Sequence, residues 1–144
     1  MRTLSIICGT IVLLIIGFLI WARISGEREF QETRPYVTYT RLIYTASWCD
    51  KYRDKYGVFP SSLEQLYSFQ PKLSDWAKDT WGRDPVLVPY DKALGYGEVI
   101  SYGRDGKPGG TGLDAELVVR FPSEANAAWN KQQGEGLKKP QRAP

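Results

Sequence analysis

The chain contains no histidine. That removes the side chain most often used as a general base near neutral pH, and the commonest zinc ligand. Cysteine is scarce. Cys8 lies in an apolar stretch and Cys49 in a polar one, so there is no disulfide framework, and both suit small apolar packing positions. Strong charge of one sign is missing too. Against 19 Lys and Arg stand 16 Asp and Glu, a net +3 that is too weak to argue for nucleic acid. No internal repeat is present, and no cofactor motif or activated nucleophile accompanies the acids. The chain is therefore not expected to be an enzyme or to have a small-molecule substrate.

The 144 residues allow one modest domain plus a membrane segment. Residues 4–21 are almost wholly apolar. As a helix they would span about 27 Å at ~1.5 Å per residue, close to the hydrocarbon thickness of a bilayer. Trp21 suits an interface anchor and Arg23 a snorkelling cation. Residues 1–25 thus read as a retained transmembrane anchor. The competing reading is a cleaved secretory signal, although Arg23 spoils a small-residue cleavage site ending at Ser25. Charge marks orientation poorly: Arg2 precedes the run, and Arg23 and Arg28 follow it among Glu27 and Glu29.

Residues 26–121 form the expected soluble domain. Residues 26–36 are polar and contain Pro35, which suits a connector or a kink in one long helix. Over residues 36–55, Tyr39, Leu42, Ile43, Ala46, Cys49, Tyr52 and Tyr56 recur at helical spacing, and Gly57 follows as a stop. Ser61 and Glu64 predict a capping box for a short helix over 62–69, with Leu63, Leu66 and Phe69 inward. Pro71 ends it. One more turn over 73–78 would turn Trp76 to the core. Asp79-Thr80-Trp81-Gly82 reads as a turn with an anchoring indole, or with a surface indole for a partner. Three short strands follow, over 86–88, 98–102 and 116–121, the first at an edge between Pro85 and Pro89. Residues 122–144 read as a polar, mostly disordered tail with a helical turn at 124–131.

Between the last two strands lies Ser101-Tyr102-Gly103-Arg104-Asp105-Gly106-Lys107-Pro108-Gly109-Gly110-Thr111-Gly112-Leu113-Asp114-Ala115-Glu116. So many glycines allow tight folding, and acids at both ends of a ring of carbonyls are what a hard cation such as Ca²⁺ needs. The segment 105–116 has the length of an EF-hand loop, with Asp first, Gly sixth and Glu last. Lys107 and Gly109 at the third and fifth positions rule that motif out. The plain alternative is a solvated turn between two strands.

This run resembles the C-terminal loop of the type II secretion protein G family, the major pseudopilins, whose pattern is close to Ser-x-Gly-Ala-Asp-Gly-x-x-Gly-Gly-x-Gly-x-Asp-Ala-Asp. Lys78-Asp79-Thr80-Trp81-Gly82-Arg83 resembles that family's Lys-Asp-Pro-Trp-Gly segment. Asp54-Lys55-Tyr56-Gly57-Val58-Phe59-Pro60-Ser61 resembles its Asp-x-Gly-x-Tyr-Pro-Thr segment. The three motifs stand in the family's order over residues 40–120.

The resemblance implies an α+β, pilin-like fold. A long N-terminal helix, its first part transmembrane, would be followed by a short helix and a small antiparallel sheet with a calcium-type loop. It implies calcium as the bound ion, with Asp105 and Asp114 as carboxylate ligands and backbone carbonyls near Tyr102 and Lys107. Glu116 stands where the family has Asp, and Thr111 is a weaker candidate. It also implies a single-pass subunit of the bacterial inner membrane with its domain in the periplasm, contacting other pseudopilins or secretion-system proteins, or copies of itself. The N-terminus departs from the pattern. Gly17-Phe18-Leu19-Ile20-Trp21 echoes a prepilin cleavage site, but Ala22 stands where the family has Glu, and a cut at Gly17 would remove most of the apolar run. A stand-alone, membrane-tethered binding module of the same fold, outside any filament, is the alternative.

Overall fold

The computed structural model describes the backbone of residues 2–132 and the side chains of residues 14–24 and 31–131. It is an α+β chain. Helix α1 spans Arg2–Tyr56, α2 Leu63–Phe69 and α3 Leu73–Trp76. Strands β1 Val86–Asp91, β2 Tyr96–Ser101 and β3 Leu117–Phe121 follow, and α4 spans Ser123–Gln132. Two compact units divide it, Met1–Thr33 and Arg34–Pro144.

In the first unit the chain is helical throughout 2–33, and Leu14, Ile15, Phe18, Leu19, Ile20 and Trp21 are exposed. Among the described residues no helix is long and apolar enough to cross a membrane. The side chains of residues 4–13, the larger part of the predicted span, lie outside the described set, as does the Cys8 side chain. Residues 26–36 are helix, with Pro35 inside α1.

The second unit packs residues of α1 against the sheet. Its core joins Leu42, Ala46 and Cys49 of α1 to Leu66, Leu73, Ala77, Val99, Leu117, Val119 and Phe121. Burying side chains of this size stabilises by roughly 1.5–3 kcal/mol each for the larger ones. The buried stripe of α1 steps 38, 42, 45, 49. Thr38 and Thr45 are fully buried, while Ile43 and Tyr56, predicted on the core face, are exposed. A helix of 3.6 residues per turn carries position 43 off a stripe centred on 42, 45 and 49. Buried threonines are tolerable because their hydroxyls have partners. Thr45 Oγ1 donates to Arg41 O (2.9 Å), and Thr38 Oγ1 lies 2.9 Å from Thr80 Oγ1.

Gly57 ends α1 as predicted, with φ 76° and its N–H on Arg53 O at 2.7 Å. The cap of α2 falls one residue later than the sequence suggests. Ser62 is the N-cap and its hydroxyl accepts from Gln65 N, while Gln65 Oε1 accepts from Ser61 N. Phe69 then sits among Trp48, Tyr52 and Tyr56, edge-on to each at 5.5–5.9 Å between centroids. Trp76 does not face the core. It is 64% exposed, and Leu73 and Ala77 fill the space instead.

The sheet is antiparallel in the order β1-β2-β3. Val99 pairs with Val119 and Gly97 with Phe121. A Cβ at Gly97 would collide with the Phe121 ring, so glycine is what leaves that ring its place against β2. On the opposite face Arg120 bridges Glu98 at 3.0 Å and lies between the Tyr96 and Trp129 rings. Trp129 belongs to α4, which runs antiparallel to α1. Ser123 N donates to Asp50 Oδ2 (3.0 Å) at one end, and Asn130 Nδ2 donates to Tyr39 OH (3.3 Å) at the other. The helical turn expected at 124–131 is thus present as α4, one residue longer at each end, and Trp129 and these two bonds anchor it. Residues 133–144 lie outside the described residues.

Candidate functional site

The glycine loop leaves the end of β2 and returns to β3. Five of its glycines have φ > 0, and at two of them the backbone also leaves no room for a side chain. At Gly103 (φ 67°) a Cβ would lie 2.7 Å from Ala115 O, and at Gly110 (φ 85°) it would collide with the Asp114 carbonyl. Backbone bonds draw the two limbs together. Arg104 N donates to Leu113 O (2.8 Å) and Glu116 N to Gly109 O (2.9 Å). A single 3-10 turn, Gly112–Asp114, presents Asp114 on the second limb.

The predicted ligands are distributed as follows. Asp114 receives Arg104 in a fork: Nε to Oδ1 and Nη2 to Oδ2, both 2.8 Å. The Arg104 hydrogen bond, and secondarily its charge and the Asp105 backbone N–H, hold the Asp114 carboxyl below its ordinary pKa. Glu116 Oε2 accepts from Gly109 N (3.0 Å) across the loop. Asp105 Oδ1 accepts from Lys107 N (3.1 Å), a local Asx turn. Among the described residues no group of three His, Cys, Asp or Glu side chains converges to hold a metal ion. Asp105, Asp114 and Glu116 therefore do not form a carboxylate cluster.

A second polar centre lies against the first limb and escaped the sequence reading. Asp79, in the turn after α3, is only 3% exposed. Its Oδ1 accepts from Trp81 N and Arg83 N, each at 2.9 Å, and its Oδ2 accepts from Ser101 Oγ (3.1 Å) and Arg83 Nε (3.4 Å). A buried carboxylate is tolerable here because four donors surround it. Arg83 carries the contact onward. Its Nη1 donates to Arg104 O (3.1 Å) and its Nη2 to Gly103 O. On the other side Arg41 Nη1 donates to Lys78 O (2.8 Å), and Thr80 N to Thr38 Oγ1 (3.2 Å). A continuous polar chain thus runs from α1 through residues 78–83 to the glycine loop. Trp81 in that turn is half-buried, which leaves both readings of its indole standing.

The donor set does not fit calcium as folded. A divalent ion needs several free oxygens. Here both oxygens of the Asp114 carboxylate are paired with a guanidinium, and the carbonyls of Gly103 and Arg104 accept from Arg83. Arg104 also places a positive charge directly on the Asp114 carboxylate.

A separate surface feature is an apolar groove of about 600 Å³ lined by Tyr36, Val37, Thr40, Arg41, Tyr44 and Trp76. It accounts for the exposure of Trp76, since α1 and α3 leave one wall open beside that ring.

No protein-family model matches the chain, and no curated protein matches it.

Proposed function

We propose that the chain is a non-catalytic structural subunit of pseudopilin type. Its N-terminal apolar helix anchors it in a bacterial inner membrane. Its globular domain stands in the periplasm and contacts other secretion-system or pilus-like proteins. The observation that carries this reading is the order of elements: a long helix whose second part packs on a small antiparallel sheet, with a glycine-rich loop between the last two strands. The exposed Leu14, Ile15, Phe18, Leu19, Ile20 and Trp21 support the anchor, because a contiguous apolar surface of that kind calls for lipid or protein around it. The second reading is a tethered binding module outside any filament. Ala22 in place of the family's Glu and the open groove beside Trp76 favour it.

The test is fractionation of the full chain expressed in a Gram-negative host, with protease added to spheroplasts. The subunit reading expects the chain in the carbonate-resistant membrane pellet, with its globular domain digested from outside. Recovery in the soluble fraction overturns the anchor, and protection from protease overturns the periplasmic placement. Cross-links between copies through a cysteine introduced at Leu14 would favour assembly. Strictly monomeric membrane protein would favour the tethered module.

A further inference from the structure

We propose that the glycine loop is closed by two arginines of the chain itself, Arg104 and Arg83, in place of a bound metal ion, so that the loop is ordered without calcium. The argument starts from the cost of order. A long glycine-rich connection loses more backbone entropy on folding than any other composition, and something specific must offset that loss. Isolated surface ion pairs contribute little, but a bidentate guanidinium–carboxylate pair of good geometry is the exception. Arg104 and Asp114 form such a pair with both bonds at 2.8 Å, and they tie the first limb of the loop to the second.

Arg83 acts on the same limb from outside the loop. Its guanidinium takes the carbonyls of Gly103 and Arg104 while its Nε is held by the buried Asp79. A planar cation with fixed donors thus ties two carbonyls of the first limb to a buried carboxylate outside the loop, a bridging role that a metal ion could otherwise fill. The two guanidiniums are covalently part of the chain, so their binding requires no free ion. The lock then operates at any calcium concentration, whether or not the protein joins an assembly.

The experiment is thermal unfolding of the full chain in detergent micelles, with excess Ca²⁺ or with EGTA, on wild type and Arg104→Ala. Amide hydrogen exchange is followed at Glu116 in the loop and at Val99 and Val119 in the sheet. Wild type should unfold at the same midpoint in both media and bind no stoichiometric calcium. Arg104→Ala should unfold several degrees lower in both, with faster exchange at Glu116 and unchanged protection at Val99 and Val119. A calcium-dependent rise in the wild-type midpoint, or one tightly bound calcium per chain, overturns the inference. So does unchanged Glu116 exchange in Arg104→Ala. Should that variant not fold, Arg104→Lys keeps the charge without the fork. It should speed Glu116 exchange while the sheet stays protected, and unchanged exchange there also overturns the lock.

Discussion

The two sides of the globular unit are held by different physics. On one side Leu42, Ala46 and Cys49 meet Val99, Val119 and Phe121 through apolar burial, which is non-directional and scales with area. On the other, residues 78–83 and the glycine loop meet through Asp79, Arg83, Arg104 and Asp114, with hydrogen bonds fixed in direction and length. Burial tolerates exchange among residues of similar volume. A charged network does not, because each partner removed leaves another unsatisfied. The apolar side therefore sets the fold, and the polar side sets the shape of one loop on it.

Substitutions should separate these sides by size and reach of effect. The largest loss is expected for Phe121→Ala, at about 3–5 kcal/mol, because the ring is fully buried against Gly97 and Phe59. Denaturant unfolding measures it, and protection should fall across the whole unit. A loss under about 1 kcal/mol would mean that the site collapses around the missing ring and that the apolar side is looser than its burial suggests. Next comes Asp79→Ala, expected at about 3 kcal/mol from donors left without an acceptor in a buried place. Its effect should be concentrated in exchange at residues 81, 83 and 103. A uniform loss of protection would erase the distinction between the two sides.

How much of this was legible depended on whether the signal was local. β3 could be read because Leu117, Val119 and Phe121 alternate with Val118 and Arg120, and the pleat turns alternation directly into burial. The stop at Gly57 could be read because one residue supplies the positive φ. The cap of α2 was ambiguous by one residue, since Ser61 precedes Glu64 and Ser62 precedes Gln65 at the same spacing. Thr38 and Thr45 were missed as core residues because their polarity outweighed their position in the 38, 42, 45, 49 stripe. Trp76 was misplaced because ring size argues for the interior, whereas the small Ala77 fits there. In the site, the importance of the 101–116 loop was visible from its glycines. The roles of Arg83 and Arg104 were not, because the partners that give them meaning arrive only through the tertiary fold. Arg104 finds its carboxylate across the loop, and Arg83 finds its carbonyls on a different segment.

The smallest effects come from two acids that respond oppositely to pH, one on each side. Asp50 sits beside α4 on α1. Burial raises its pKa, and that outweighs the Ser123 hydrogen bonds and Arg53, with Glu124 adding to the rise. Asp84 lies near residues 78–83. The Lys78 hydrogen bond lowers its pKa, aided by Tyr67 and the Lys78 charge and opposed by slight burial. The signs follow from linkage. For Asp84 the folded value lies below the unfolded one, so its contribution is present above the unfolded pKa, whose ordinary value is 3.8, and is lost as pH falls through the folded one. For Asp50 the folded value lies above, so its contribution is fully present below the unfolded pKa and is lost as pH rises through the folded one. Lys78→Met should thus flatten the acid-side loss of stability, and Asp50→Asn should flatten the loss on the rising limb. Both would be followed by thermal midpoints across the carboxylate range at constant ionic strength. Asp84 is largely exposed and screened, so its change should be the smaller of the two. If both variants shift the profile in the same direction, the opposition between a side governed by burial and a side governed by ion pairing does not extend to its titrating groups.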